Sequence, residues 1–280
     1  MTINLRGTTS DPDSWLENFY SAMIPATGSL KLDGRNNFAY KFAADPRAKV
    51  HVGWSIGACS LAPDVIEKIQ TWYAKGIKQF IIEGHSQGGA LAFLLTSYIH
   101  YKIVDGTLPK DLVIKSYCSA APKTGNTYYA YDFDNFTRGG WAFTVVSAAD
   151  WVPEMPLTVQ TQYDINVNPF TYTKKGLHKQ NFMVRYYVTH IYNSLDRSTR
   201  KAERKSQKFL GKVLYTQIKK YMKDMQQPQY AGCANYMRAG SPVVLEPDAD
   251  YYKKFPDTGS NIFRNHLFEP YYYLVKKTYK

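Results

Sequence analysis

The clearest change of hydrophobic period in the chain lies between residues 78 and 101. Residues 80–82 form a short apolar run of strand length, and beyond residue 89 the apolar positions recur at helical spacing. The helical positions are Leu91, Leu94, Leu95, Tyr98 and Ile99. The pattern therefore predicts a strand, a tight turn and a helix.

Other segments repeat this alternation of strand and helix. Residues 2–5, 112–119 and 141–147 have the apolar content of strands, and residues 62–73 have helical spacing. A helix is also expected after Asp11 and Pro12, which are residue types that start helices. Alternating strands and helices indicate an α/β fold with a mostly parallel sheet and helices on both faces.

Length and composition favour one domain. The chain has 280 residues, 44% of them hydrophobic, which suits a single α/β domain over residues 1–280 that carries an insertion. Its three cysteines are far apart and lack metal-ligand spacing, so we expect neither a disulfide nor a metal site. The sequence shows no signal-peptide pattern and no apolar run of membrane-spanning length, which favours a cytoplasmic or peripheral membrane location.

The predicted turn contains the pentapeptide G-x-S-x-G, from Gly84 to Gly88, with Ser86 at its centre. Between a strand and a helix this motif is typical of a nucleophile elbow, in which the two glycines allow a sharp turn. Such a turn lifts the serine hydroxyl above the sheet and directs a helix N-terminus at developing negative charge. An ordinary glycine-rich turn is the alternative.

Two backbone N–H groups and one carboxylate are candidates to assist Ser86. The first strand ends in a glycine turn, so the N–H of Thr8, together with that of Gln87, can form an oxyanion hole. Residues 6–8 could also be only a connection. Asp150 follows a predicted core strand directly and so falls at the same sheet edge as Ser86, unlike Asp132, Asp134 and Asp164.

Five blocks, in this order and spacing, resemble the class 3 (fungal-type) lipases of the α/β-hydrolase superfamily. They are residues 5–15, 49–54, 80–92, 119–126 and 145–156. The resemblance implies ester hydrolysis through an acyl-enzyme without a cofactor, with Ser86 as nucleophile, Asp150 as triad acid, and Thr8 and Gln87 as oxyanion donors. It also implies a mobile lid within residues 10–36.

The chain departs from the family pattern in two places. The family usually has leucine after the nucleophile, where this chain has Gln87; a backbone donor survives that change, so the pocket wall is altered and the mechanism is not. Family members also begin well upstream of the Arg6-Gly7-Thr8 block. Either this sequence lacks N-terminal family elements that cover one sheet edge, or something else protects that edge strand.

The triad histidine is expected last, in the α/β-hydrolase order Ser, Asp, His. His266 follows a loop-rich run and precedes a helical pattern at residues 267–279, which is the family-like position. His178 and His190 remain alternatives. The other three histidines are expected to be structural; they are His51, His85 and His100.

The spacing of 116 residues from Asp150 to His266 is about twice what the family leads us to expect, so residues 157–260 are predicted to be an insertion or cap. Within it, residues 157–170 look irregular or β-rich, residues 177–195 can be helical, and residues 197–225 are expected to form a long amphipathic helix. Its apolar arc is Leu210, Val213, Leu214, Ile218, Tyr221, Met222 and Met225. Its basic arc is Lys205, Lys208, Lys212, Lys219, Lys220 and Lys223.

Residues 171–225 hold 14 Lys and Arg against three Asp and Glu, which is nearly all of the chain's net charge of +12. A basic helix of this kind fits peripheral contact of residues 197–225 with an anionic membrane, or contact with an acidic protein. The alternative is a cap helix docked on the body with a solvated lysine face. Nucleic acid is not expected, because the basic run lacks a recognisable binding module.

The sequence thus predicts a serine hydrolase that cleaves carboxylic esters, with acyl-lipids as the expected substrates. A phospholipase or a thioesterase on the same fold is an alternative. A lipid- or partner-binding protein that has lost turnover is another. The pattern does not give the oligomeric state.

Overall fold

The computed structural model describes residues 1–34, 37–168, 175–256, 259 and 261–279. The strands are β1 Thr2–Leu5, β2 Met23–Pro25, β3 Thr27–Lys31, β4 Asn37–Lys41, β5 Lys49–His51, β6 Gln79–His85, β7 Val113–Ser119, β8 Gly125–Asn126, β9 Ala142–Ser147, β10 Tyr236–Met237 and β11 Ser241–Leu245. The α-helices are α1 Pro12–Phe19, α2 Val52–Ala74, α3 Gln87–Val104, α4 Thr127–Phe136, α5 Phe182–Gln207, α6 Leu214–Tyr221, α7 Ala249–Lys254 and α8 Phe268–Thr278.

The main sheet has the strand order β1-β6-β7-β9-β11, and every neighbouring pair is parallel. Helix α3 connects β6 to β7, and α4 lies between β7 and β9. The predicted α/β fold with a mostly parallel sheet is confirmed. Parallel pairing brings the carboxyl ends of these strands to one edge, where ligands bind in such sheets.

Helices pack on both faces of this sheet, because successive strand residues point to opposite sides. On one face Phe80 and Ile82 of β6 join the large core formed with α2 and α3. On the other face Val145 and Leu245 pack against α7 and α8. This second layer is partial within the described residues, since Ile81 and Tyr117 on the same face are 37% and 36% exposed.

Several short strands were not predicted. Strands β2, β5, β8 and β10 form a small antiparallel sheet, and β3 pairs with β4 as a hairpin. Residues 49–54 alternate only weakly because Lys49–His51 form a three-residue strand and helix α2 already begins at Val52. Strands of two to five residues are too short to show a reliable period.

Strand β11 corrects the predicted boundaries of the insertion. It pairs in parallel with β9 from Ser241 to Leu245, so it belongs to the main sheet. The segment outside that sheet therefore ends before Ser241, and the boundary at residue 260 is wrong. A five-residue strand surrounded by loop residues gives too little pattern to separate it from an insertion.

The two helices predicted within the insertion form one continuous helical segment. Helix α5 runs into a π-helical turn, Lys208–Val213, and then into α6. The apolar arc of the second half packs on the main core through Leu214, Ile218, Met222 and Met225. The helix is therefore docked on the body, and its lysines face solvent.

Helix α5 is different, because none of its side chains is buried. Its large apolar side chains are 55% to 70% exposed at Phe182, Tyr186, Tyr187, Ile191 and Leu195. Among the described residues, no helix is both long and apolar enough to cross a bilayer.

Candidate active site

Ser86 lies in the turn between β6 and α3, with a positive φ of 60°. A positive φ costs a non-glycine residue about 1 to 3 kcal/mol, so the surroundings must hold this conformation. Glycines make the turn possible. A Cβ on Gly84 would lie 2.2 Å from the carbonyl carbon of Gly88, and a Cβ on Gly88 would lie 2.1 Å from the Leu5 oxygen.

His266 connects Ser86 to Asp150. Its Nε2 lies 2.8 Å from Ser86 Oγ, and its Nδ1 lies 2.8 Å from Asp150 Oδ2. A carboxylate only accepts hydrogen bonds, so Nδ1 carries the proton and Nε2 is left to accept from the serine hydroxyl. Both Asp150 and His266 are buried, whereas Ser86 is half-buried. The structure thus brings together the three side chains that the sequence singled out.

Asp150 is held by two further donors. The Tyr271 hydroxyl donates to Asp150 Oδ2 at 2.7 Å, and the Val152 N–H donates to Oδ1 at 3.0 Å. The same hydroxyl accepts from the Ser147 N–H at 3.1 Å. Burial and then the charge of Asp150 raise the pKa of Tyr271, so this hydroxyl stays a donor. Sequence reasoning missed Tyr271, which is one of three consecutive tyrosines in α8.

His85 contacts the backbone of His266. Its Nε2 is 2.8 Å from the backbone oxygen of His266, and its Nδ1 is 2.9 Å from Ser119 Oγ. Burial lowers the pKa of His85, so the neutral ring can donate to the His266 oxygen. The predicted structural role of His85 is therefore specific, because it holds the backbone that carries His266.

The rival residues lie elsewhere. His178 and His190 are exposed, and His100 stacks on Phe136 with ring centroids 3.9 Å apart. His51 is buried, which lowers its pKa to about 3. The rival acids have other partners: Asp132 accepts from Tyr101, Asp134 from Gly240, and Asp164 from Thr161.

The two expected oxyanion residues flank Ser86. Gln87 follows it directly, and a Cβ on Gly7, the residue before Thr8, would lie 3.7 Å from Ser86 Cβ. The Thr8 N–H donates to no residue that the structure describes, while its Oγ1 accepts from Asn18 Nδ2 at 2.8 Å. Thr8 therefore has a free backbone donor beside the serine, in a position fixed by α1.

Helix α1 lies in the stretch where a lid was expected, although residues 35 and 36 fall outside the described residues. It packs on α2 and α6. A cavity of about 470 Å³ opens between these helices, lined by Leu16, Glu17, Ile56, Leu91 and Ile218 among others, and Ser86 is not part of its lining. The arrangement in the structure is a docked α1, and the mobility of a lid remains a prediction.

The Tyr271→Phe substitution should lower kcat/KM about tenfold or more and leave KM nearly constant, because a hydrogen bond to a charged group is worth about 1.5 to 3 kcal/mol. The reason is that Asp150 would lose its 2.7 Å donor. Esterase kinetics with Tyr272→Phe as control checks this, since Tyr272 is an exposed neighbour in the same helix. Equal kcat/KM for the two variants would contradict the role.

Comparison with known proteins identifies the family to which the chain is similar. The model for "Lipase (class 3)" matches residues 2–160, more than half of the chain. A secreted mono- and diacylglycerol lipase, LIP4, of Malassezia restricta is 28% identical over 156 residues, 55% of this chain and 46% of that protein. The chain thus spans about half the length of the curated relatives it matches.

Solved structures resemble parts of the chain. The lipase from Rhizopus microsporus var. chinensis is 28% identical and covers 39% of this chain and 37% of its own, with a TM-score of 0.32. The Lip2 lipase from Yarrowia lipolytica is 20% identical. The match covers 54% of this chain and 51% of that lipase, with a TM-score of 0.40. The family model covers residues 2–160, which include the strands and loops that carry Thr8, Ser86 and Asp150. The chain therefore belongs to the class 3 lipase family.

Proposed function

We propose that this protein hydrolyses carboxylic esters through an acyl-enzyme on Ser86. The observation that carries the proposal is the pair of 2.8 Å contacts joining Ser86 to His266 and His266 to Asp150. Serine is a poor nucleophile until a base takes its proton, and a buried carboxylate keeps the imidazole in the correct tautomer. Membership of the class 3 lipase family supports the same reaction.

In the first half of the proposed reaction Ser86 Oγ attacks the ester carbonyl carbon and its proton passes to His266 Nε2. The N–H groups of Thr8 and Gln87 stabilise the negative oxygen of the tetrahedral intermediate. His266 then donates the proton to the leaving alcohol, and the acyl group stays on Ser86. Asp150 stabilises the imidazolium throughout.

Water completes the cycle. His266 takes a proton from a water molecule, whose oxygen attacks the acyl-serine and forms a second tetrahedral intermediate at the same oxyanion donors. The intermediate collapses, Ser86 regains its proton from His266, and the carboxylic acid leaves. The chemistry uses only side chains and backbone donors of this chain.

The surroundings of His266 favour esters with apolar acyl groups. Phe263 lies with its ring centroid 6.1 Å from that of His266, and it packs against Trp15 and Trp151 at 6.0 and 5.3 Å. Ile262 and Phe268, on either side of His266, are 69% and 68% exposed. An apolar rim of this kind fits acyl-lipids such as acylglycerols better than charged substrates.

A series of p-nitrophenyl esters from two to sixteen carbons, combined with fluorophosphonate labelling, tests the proposed function. Turnover should rise with acyl length, and the probe should attach to Ser86. Labelling without turnover of any ester would favour a binding protein on this fold. Faster turnover of matched thioesters or phospholipids would move the activity to the alternative classes.

We also propose peripheral contact with an anionic lipid surface at the basic helical segment. The apolar arc of residues 197–225 packs on the core at Leu214, Ile218, Met222 and Met225, whereas Val213 and Tyr221 are 44% and 56% exposed. Its exposed lysines and the exposed apolar side chains of α5 offer charge and hydrophobic surface together. Basic residues near an anionic leaflet contribute about 1 kcal/mol each.

Vesicle co-sedimentation tests this contact. Changing Lys212, Lys219, Lys220 and Lys223 to Gln should weaken binding to phosphatidylserine vesicles at least tenfold, because about 1 kcal/mol is lost per residue. A control with Lys68, Lys75, Lys110 and Lys276 changed to Gln loses the same charge from other exposed positions. Equal binding by both variants, or binding indifferent to salt, contradicts the proposal, as does self-association through α5 in place of vesicle binding.

A further inference from the structure

The side chain of Gln87 joins the nucleophile turn to helix α1. It is 3% exposed, and its Oε1 accepts from Ser14 Oγ at 3.0 Å while its Nε2 donates to Glu17 Oε2 at 2.7 Å. The Ser14 hydroxyl in turn accepts from the Thr9 N–H at 3.1 Å. The residue that supplies one proposed oxyanion donor is therefore fixed through its own side chain by two residues of α1.

Two glycines of α2 provide the space in which Glu17 lies. A Cβ on Gly53 would be 1.9 Å from the backbone oxygen of Glu17, and a Cβ on Gly57 would be 1.9 Å from its Oε1. Oε1 is buried and has no hydrogen-bond partner among the described residues. The carboxyl group is thus held in one place by close packing on one oxygen and by Gln87 on the other.

The electrostatic surroundings of Glu17 are negative or neutral. The titratable groups that line the adjacent cavity are Asp11 just before α1, Asp13 within it, Tyr20 after it and Tyr221 from α6. Helices α2 and α3 face it with Gly53, Ile56, Gly57, Ser60, Leu61, Gln87 and Leu91. Within that described lining there is no lysine, arginine or histidine.

We propose that Glu17 is a positioning residue whose neutral carboxyl group holds Gln87 and docks α1 against the nucleophile turn, and that ionisation of Glu17 loosens both. The inference rests on the proposed function, because its catalytic consequence passes through the Gln87 N–H. A leucine after the nucleophile could not make this contact. The pair Glu17 and Gln87 thus couples the oxyanion hole to the protonation of one carboxyl group.

The pKa of Glu17 sets the direction of the effect. Burial, and then the nearby Asp13, raise it from 4.5 to about 8, and the Gly57 N–H offsets part of this rise. Below pH 4.5 the carboxyl is neutral whether α1 is docked or free, so docking is fully retained. Between that pH and about 8 only the free form ionises, and docking weakens as the pH rises. Above about pH 8 both forms are ionised and the loss is complete.

The pH dependence of kcat/KM on a soluble short-chain ester tests the inference. The wild type should lose activity at least fivefold on a descending limb centred at or below about pH 8. Glu17→Gln keeps an acceptor for Gln87 but cannot ionise, so that limb should vanish. Glu17→Leu should lower kcat at least tenfold at pH 7 with a smaller change in KM, because Gln87 Nε2 loses its 2.7 Å acceptor and keeps only the longer 3.4 Å contact with the Ser14 backbone oxygen.

Asp13→Asn is the matched control. Removing this neighbouring negative charge eases ionisation of Glu17, so the descending limb should move to lower pH and not disappear. A wild type without the limb, or a Glu17→Gln variant that retains it, overturns the inference. Circular dichroism of each variant shows whether it is folded.

A second measurement separates this inference from the proposed function. As the pH rises from 5 to 8, the Tm of the wild type should fall relative to that of Glu17→Gln, whether or not the protein turns over an ester. Parallel Tm curves overturn the role of Glu17. Absence of wild-type turnover and of Ser86 labelling, with diverging Tm curves, overturns only the esterase reaction.

Discussion

Ser86→Ala should lower kcat for ester hydrolysis by about 10⁴ to 10⁶, the usual loss when a triad nucleophile is removed. The proposed mechanism has no second nucleophile at this position, and only the oxyanion donors and substrate binding would remain. The fold should be retained, since alanine is smaller and keeps the same Cβ. Kinetics with p-nitrophenyl esters, together with Tm, measures both effects.

The control for this variant is Ser119→Ala. Ser119 Oγ contacts the neighbouring His85 at 2.9 Å, and no described hydrogen bond joins it to His266. The fall in kcat for Ser119→Ala should therefore be far smaller than that for Ser86→Ala. Covalent labelling by a fluorophosphonate at a residue other than Ser86 would contradict the assignment. So would a Ser86→Ala variant that hydrolyses esters at one tenth of the wild-type rate.

His266→Ala should reduce kcat as much as Ser86→Ala, because the serine hydroxyl would lose the base that lies 2.8 Å away. Residues that act as one unit are not additive, so the double variant should be little worse than either single one. Rate measurements on the three variants, with enzyme concentrations set by active-site titration of the wild type, decide this.

His178→Ala and His190→Ala are the matched controls for that prediction. Both side chains are exposed. Among the described contacts, the histidine that bonds to Ser86 and Asp150 is His266. They should keep most of the wild-type activity. If one of them abolishes turnover while His266→Ala does not, the proposed base is wrong.

The sequence was most informative where one pattern ran long enough to be read. Strand β6, the turn and helix α3 show a change of period over more than twenty residues, and the predicted strand at residues 2–5 agrees with β1. Strand β11 was missed because its five residues carry no clear alternation and are recognised only by pairing with β9.

The candidate site divides in the same way. Ser86 could be found from a local motif, and Asp150 and His266 from chain order and the ends of predicted elements. Tyr271 and Glu17 could not, because their roles depend on contacts across 121 and 70 residues of sequence. The sequence shows Gln87 as a departure from the family pattern, but its contact with Glu17 depends on the packing of α1 against α2.

The basic helix shows the limit of periodicity. Its apolar arc predicted a helix, and residues 182–221 are helical. The same arc is compatible with burial in lipid or in protein, and the structure has it packed on the core. Periodicity gives the face of a helix that leaves water, and tertiary contacts give what that face meets.

The contact of His85 with the His266 backbone has a dynamic consequence. His85 adjoins Ser86 in the same turn, so the short helical turn Arg264–His266, which carries the proposed base, is bonded to the segment that carries the proposed nucleophile. The two should fluctuate as one rigid body, with correlated displacements, although 180 residues separate them along the chain. Since a misplacement of about 1 Å can cost 10²-fold in rate, this shared motion preserves the distance between Ser86 Oγ and His266 Nε2.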